Sequence, residues 1–378
     1  MEFYGTNQTP FLVLSNIIVL VFLFLLLRPA LQNSKSISNK RIILVEIIIF
    51  IFCLFSFWGT DWYGYLSYFT SIKKGLGYNI PVEKIYIWLF KKLPSYLSFR
   101  LIVWGAALLL LKKTIRNLDI NKGLFLFFFC SISVIGFAYA RASLAMAFLF
   151  CGLSYISNEH KYLGKRYIYK LIGLILICVS FYFHKSAVIG IAAIALAIIF
   201  RKIGGQKGFL LMLISFPIMV LIAKGLFVDV FSDIVSDDTN MLHEYALSGS
   251  VHFESETLRQ GIGILIEQIL ECIPGYLLIV ICYEVLSSKK DIPRNIELVM
   301  YSLCSIILVA SIFVFDLGSD TNIIYGRMMR YSQIPMCICF TYFYERGFYP
   351  KQVKWTYSVG IIGCFYAITY MLYNVVLG

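Results

Sequence analysis

Charged residues are scarce in this sequence: Asp, Glu, Lys and Arg together make up 14% of its 378 residues, against roughly a quarter in soluble globular proteins. Apolar residues make up 60%. They recur along the whole chain in segments of about 20 residues, the length that a helix needs to cross a bilayer. This composition excludes an ordinary soluble protein and predicts an all-α polytopic membrane protein.

Several motifs of pumps and soluble enzymes are also absent. The sequence has no P-loop, no G-x-G-x-x-G, no H-E-x-x-H and no Asp-x-Asp pair of the kind that holds a divalent cation on a sugar nucleotide. These absences argue against an ATP-driven pump and against a cytoplasmic nucleotide-sugar transferase. The ten cysteines all lie in apolar segments, where we expect small buried hydrophobes and not a disulfide or zinc framework.

Hydropathy predicts about twelve transmembrane helices, which together form one helical domain over residues 1–378. Two longer loops remain between them, at about 58–96 and 225–261. The first loop mixes aromatic residues with lysines at helical spacing, which predicts an amphipathic helix lying in the membrane interface. The predicted helices lie near residues 11–28, 42–57, 97–111, 124–138, 142–157, 168–184, 186–200, 208–224, 262–286, 296–316, 328–344 and 355–376.

Basic residues are concentrated in alternate loops between these helices. Residues 28–41, 112–122, 158–170 and three later loops hold most of the 33 Lys and Arg residues. Because cytoplasmic loops carry the excess of positive charge, these loops are expected inside, and both termini are expected outside. Both long loops and more than half of the 21 acidic residues then lie outside. We therefore expect the functional face to be the outer one.

Ionisable residues with apolar flanks occur at the outer ends of several predicted helices. Charged groups at membrane depth are costly, so they often mark a binding site or a water-filled cavity. The alternative for an arginine at a helix end is that it extends to lipid phosphate. The residues are Asp61 in FWGTDWYGY, Arg141 in FAYARASLAMAF, His184 and Lys185 in FYFHKSAVIG, and Arg327 and Arg330 in IIYGRMMRYSQIP.

Helix length predicts a break at His184 and Lys185. A single helix over residues 171–200 would be about 45 Å long, well beyond the hydrocarbon thickness of a bilayer. Two short helices joined by a tight outward turn would place the imidazole at the floor of a recess near the outer interface. The alternative is a solvated turn with ordinary polar residues.

Arg327 and Arg330 are three residues apart, so they are predicted to share one face at the start of a helix. The guanidinium group is suited to bidentate contact with phosphate. The pair therefore predicts a phosphate site that requires no metal.

Five ordered motifs in this chain resemble the EpsG-type branch of the Wzy-like bacterial polysaccharide polymerases. The similarity is best from about residue 55 to residue 200 and decreases over the second long loop. The motifs are FWGTDWYGYLSYF, VEKIYIWLFKKL with Glu83, RASLAMAFLFCGLSYI, FYFHKSAVIG and GRMMRYS.

The resemblance implies a metal-independent membrane glycosyltransferase in the bacterial plasma membrane, with its active site facing outside. Donor and acceptor are expected to be oligosaccharide repeat units linked to undecaprenyl pyrophosphate. Their product would be a capsule, an exopolysaccharide or an O-antigen. Membrane lipid and a chain-length regulator protein are the further candidate partners. We expect no cofactor and no nucleic acid.

The resemblance also suggests roles for single residues. His184 is the leading candidate for the general base, because histidine titrates near neutral pH. Asp61 is the alternative base, or it orients a sugar or the histidine, and Glu83 is a similar case. The candidates for binding substrate or pyrophosphate are Arg141, Lys185, Arg327, Arg330 and Glu83.

Two other function classes remain open. A ligase or another membrane transferase would use the same residues and differ only in its acceptor. A transporter or flippase would distribute charged residues through the membrane depth, whereas the candidates here gather at the outer ends of helices. Four acidic residues within predicted helices are exceptions, and because of them the transporter hypothesis is retained: Glu46, Glu267, Glu271 and Glu284.

Overall fold

The computed structural model describes most of the chain and contains only helices as regular elements within the part that it describes. The predicted all-α class is therefore confirmed. Much of the second long loop lies outside the described residues, and so does part of the first. The described residues are 10–32, 37–55, 60–75, 83–134, 140–158, 163–216, 218, 258–288, 291–312 and 319–377.

The described helices overlap each of the twelve predicted segments, and three shorter described helices precede α6. In chain order they are α1 Pro10–Leu27, α2 Pro29–Gln32, α3 Asn39–Phe55, α4 Thr60–Lys73, α5 Lys84–Lys92, α6 Tyr96–Leu118, α7 Lys122–Phe128, α8 Ala140–Ser157, α9 Leu163–Phe183, α10 Ala187–Ile203, α11 Gly205–Phe216, α12 Leu258–Ser287, α13 Arg294–Ile312, α14 Ser319–Arg346 and α15 Pro350–Leu377. A π-helical turn, Phe129–Ser133, continues α7.

One described helix, α13, contains an 18-residue window long and apolar enough to cross a membrane, and six further described segments are apolar over 10–17 residues. The number of membrane crossings stays a prediction. The described surface nevertheless exposes many large apolar side chains, as a lipid-facing surface does. Examples are Ile43, Ile47, Leu109, Ile168, Leu174 and Ile214.

Two helices extend furthest beyond their predicted ends. α6 continues to Leu118, although hydropathy ends the span at residue 111 and assigns residues 112–122 to a loop. α14 begins at Ser319, so Arg327 and Arg330 lie within a helix and not at its start. Both predictions were wrong for one reason: hydropathy follows the side chains, whereas a helix continues wherever its backbone hydrogen bonds do.

The first long loop contains two helices, α4 and α5, where one was predicted. α5 is amphipathic, as expected. It buries Tyr86 and Phe90, which are four residues apart, and exposes Trp88 and the two lysines of its last turn. The buried rings join α5 to the rest of the bundle, since Phe90 packs edge-on against Phe99 of α6 at 4.7 Å between ring centroids.

Two glycines bring α8 and α9 close together. A Cβ atom on Gly152 would lie 2.5 Å from the carbonyl oxygen of Gly173, and a Cβ on Gly173 would lie 2.6 Å from that of Gly152. Further along, the rings of Tyr155 and Tyr169 stack at 5.5 Å. These pairs define an antiparallel register that places residue 141 level with residue 184.

We expect Gly152→Ala to destabilise the protein by about 1–3 kcal/mol, because the new methyl group would overlap the backbone of α9 and force the two helices apart. Thermal unfolding of the purified protein in detergent measures the effect. Gly105→Ala is the matched control, since a Cβ there meets no atom within 4 Å, and it should leave stability unchanged or raise it slightly. Equal effects of the two substitutions would contradict the close packing of α8 on α9.

Candidate functional site

The predicted break at His184 is a tight turn between α9 and α10. α9 ends at Phe183 and α10 begins at Ala187. Two backbone hydrogen bonds close the turn: the Ala187 amide donates to the His184 carbonyl at 2.9 Å, and the Val188 amide donates to the Lys185 carbonyl at 3.1 Å. The imidazole is therefore held on a short, hydrogen-bonded connection between two helices.

The carboxylate of Glu83 contacts this imidazole. Glu83 Oε1 lies 3.0 Å from His184 Nδ1, and both side chains are largely buried, at 10% and 14% exposure. Glu83 is the N-cap residue of α5, yet its side chain makes no capping hydrogen bond. The contact links the first long loop to the turn between α9 and α10. The partial positive charge at the start of α5 also favours a carboxylate there.

This geometry selects one tautomer of the histidine. An ionised carboxylate only accepts hydrogen bonds, so Nδ1 must carry the proton that it donates to Glu83. The second ring nitrogen, Nε2, then holds the lone pair of the neutral imidazole. A ring in this state can take a proton at Nε2, and the carboxylate stabilises the imidazolium that forms.

Aromatic rings pack together beside the pair, around Phe183, which precedes His184. The fully buried ring of Tyr86 lies 6.0 Å from Phe183, and Phe148 stacks on Phe183 at 5.0 Å. Tyr86 also contacts Tyr65 of α4 at 5.9 Å and Phe99 of α6 at 5.6 Å. We call these five residues the aromatic cluster; they join α4, α5, α6 and α8 to the end of α9.

A second polar contact joins the turn to α14. Ser186 Oγ lies 3.1 Å from the hydroxyl oxygen of Tyr331, a side chain that is 1% exposed. Gly190 of α10 allows the approach, since a Cβ there would lie 3.3 Å from the Tyr331 ring. α14 is thereby fixed against the same turn that carries His184.

The EpsG family model matches residues 40–377 of this chain. The matched residues include the motifs and the site described above. The chain belongs to the EpsG family. Membership establishes a membrane protein with a polysaccharide polymerase-type role in polysaccharide biosynthesis. No curated protein and no solved structure matches the chain.

In this EpsG family chain, two of the predicted site residues meet directly, namely His184 and Glu83. Glu83 was a candidate for substrate binding, for the base or for an orienting role, and its carboxylate contacts the imidazole. Lys185 is partly buried in the same turn, and Arg330 is partly buried on α14 beside Tyr331. Their roles in binding stay predictions.

Three other predicted residues lie on described helices, but their side chains are outside the described part. Asp61 belongs to α4, one turn before Tyr65. Arg141 belongs to the first turn of α8, at the level of residue 184 by the register with α9. Arg327 belongs to α14, one turn before Tyr331 on the same helix face.

Sequence reasoning missed two hydroxyl groups at this site, those of Ser186 and Tyr331. Both adjoin predicted residues: Ser186 follows Lys185 in FYFHKSAVIG, and Tyr331 follows Arg330 in GRMMRYS. Proximity to those residues was the only signal that could have marked them. Their partnership spans 145 positions and no local pattern predicts it.

We expect the hydroxyl groups of Ser186 and Tyr331 to be coupled by about 0.5–1.5 kcal/mol, the net contribution of a typical hydrogen bond. A double-mutant cycle of Ser186→Ala and Tyr331→Phe, read by the free energy of unfolding in detergent, measures the coupling. Ser302→Ala is the control partner, since Ser302 bonds the Leu298 carbonyl of its own helix. Additive effects in the Ser186 cycle would exclude the contact.

Proposed function

We propose that this chain is a polysaccharide polymerase that joins oligosaccharide repeat units carried on undecaprenyl pyrophosphate, at the outer face of the bacterial plasma membrane. The observation that supports the proposal is the contact between Glu83 and His184 at the turn between α9 and α10. A carboxylate-oriented imidazole is suited to removing a proton from a sugar hydroxyl. Membership of the EpsG family supports a polysaccharide polymerase-type role, and the lipid-linked substrate is part of the proposal.

In the proposed reaction, His184 Nε2 accepts the proton of a hydroxyl group on the acceptor unit. The hydroxyl oxygen forms a bond to the anomeric carbon of the donor chain, while the bond from that carbon to the pyrophosphate oxygen breaks. Undecaprenyl pyrophosphate leaves with the electron pair. Because the donor already carries its leaving group, the step requires no nucleotide outside the cell.

Of the roles that the sequence leaves open for Glu83, we propose that it positions His184. It holds the Nδ1–H tautomer of His184 and stabilises the positive charge that the ring gains. With His184 as the base, Asp61 is proposed to orient a sugar. The carboxylate of Glu83 contacts the imidazole, so the role of orienting the histidine is given to Glu83.

The departing pyrophosphate requires positive charge, and the candidate cations come from elements that meet at the turn. Lys185 belongs to the turn itself. Arg330 adjoins Tyr331, which contacts Ser186, and Arg327 precedes Tyr331 by one helical turn. Arg141 is level with residue 184. We propose that these four side chains bind the pyrophosphate by charge-assisted hydrogen bonds.

We expect His184→Asn to stop chain growth, with a loss of about 10²-fold or more in rate, since general base catalysis contributes that much. Cells carrying the variant should accumulate single lipid-linked repeat units on the outer face, measured by mass spectrometry of extracted glycolipids after surface labelling. Tyr182→Phe, a change on an exposed neighbour two residues earlier, is the control and should preserve polymer length.

Two results would contradict the proposal. Repeat units that remain on the cytoplasmic side in the His184→Asn cells would indicate a flippase. Normal polymer that fails only to reach its final acceptor would indicate a ligase, which shares the same residues but differs in the acceptor.

A further inference from the structure

A second polar cluster lies at the opposite end of α6 from the aromatic cluster. Near the start of α6, Arg100 donates a hydrogen bond of 2.7 Å to the Cys53 carbonyl of α3. Twelve residues later, about 18 Å along the helix axis, Lys112 contacts Glu46 of α3. The cluster around Glu46 is therefore remote from His184 and belongs to the other end of the bundle.

An apolar groove leads away from this cluster, between α3 and α6. Its volume is about 280 Å³. The residues that line it recur every three or four positions on each helix, so each helix contributes one face. Several lining side chains are large, apolar and exposed, so the groove opens at an apolar surface of the kind that faces lipid. Those that define it are Ile43, Ile47, Gly105, Leu109, Leu126 and Phe129.

Gly105 keeps the middle of the groove open. A Cβ atom at this position would meet no other atom within 4 Å, so the absent side chain leaves space that no neighbour fills. An apolar cavity of roughly 150 Å³ already holds a benzene molecule. The groove therefore has room for a stretch of one hydrocarbon chain.

The end of the groove carries an excess of positive charge. Glu46 contacts Lys112 at 3.2 Å and Lys122 at 2.6 Å, so that two ammonium groups share one carboxylate. Each ammonium group has three N–H donors, and its contact with Glu46 uses one of them. Lys112 is 54% exposed and lines the groove. The ion pairs hold the lysines at the rim, where they can still bind an anion.

We propose that this groove binds an anionic glycerophospholipid, with its phosphate on Lys112 and Lys122 and one acyl chain along Gly105. The net positive charge favours an anionic lipid over a zwitterionic one. The apolar walls favour a lipid over a water-soluble anion, because free phosphate gains nothing from them. A lipid in this position contacts α3 and α6 together. The site is independent of the proposed polymerase activity.

Native mass spectrometry of the full chain in detergent tests the site, with phosphatidylglycerol as the probe. Phosphatidylcholine with the same acyl chains and inorganic phosphate are the comparison ligands. We expect Lys112→Gln to weaken phosphatidylglycerol binding about tenfold, since it removes a charge-assisted hydrogen bond. Gly105→Leu should weaken it by a similar factor, because the new side chain fills the groove without changing the charge.

Two matched controls accompany these variants. Lys113→Gln removes a neighbouring charge whose ammonium group lies over the Tyr155 ring at 5.4 Å, outside the groove. Leu101→Phe enlarges an exposed apolar residue of α6 that does not line the groove. Both should bind phosphatidylglycerol as the unaltered chain does. Gly105→Leu is expected to fold, because it enters open space, and thermal unfolding verifies this.

Three results would overturn the proposal. The first is equal binding of phosphatidylglycerol and phosphatidylcholine. The second is displacement of the lipid by inorganic phosphate at similar concentration, which would indicate a simple anion site. The third is binding that neither Lys112→Gln nor Gly105→Leu weakens relative to the two controls.

Discussion

The hydrogen bond between Glu83 and His184 is the interaction on which the account of this site depends. It joins residues 101 positions apart and holds the first long loop on the turn between α9 and α10. Both partners are largely buried, and the loss of one would leave the other's charge or polar group without its partner in a poorly hydrated place. The aromatic cluster packs beside the pair and joins α5, whose N-cap residue is Glu83, to the end of α9.

Two helix N-caps at this site direct their side chains away from their own helices. Glu83 precedes α5 and Ser186 precedes α10, and neither makes a side-chain capping hydrogen bond. A cap commonly stabilises a helix by about 1 kcal/mol. Here the same side chains contact His184 and Tyr331 instead. Side chains that do not make the capping hydrogen bond their position favours are expected at functional sites.

Part of this arrangement could be predicted from sequence because it depends on local patterns. Helix length identified the break at His184, and hydropathy identified the all-α class. The ends of α6 and α14 could not be predicted, since residues such as Lys112 and Arg327 continue a helix regardless of their polarity. The sequence left several roles open for Glu83, with an orienting role among them, but it could not select the contact with His184, because no periodicity reports a pairing across 101 residues.

The central claim is that Glu83 acts through His184. The most direct test measures the turnover of lipid-linked repeat units by the purified chain in liposomes, with Glu83→Gln placed in two backgrounds. In the unaltered chain the substitution should lower turnover, whereas in a His184→Asn background it should cause no further loss, as residues that act as a unit are not additive. An equal loss in both backgrounds would contradict the account.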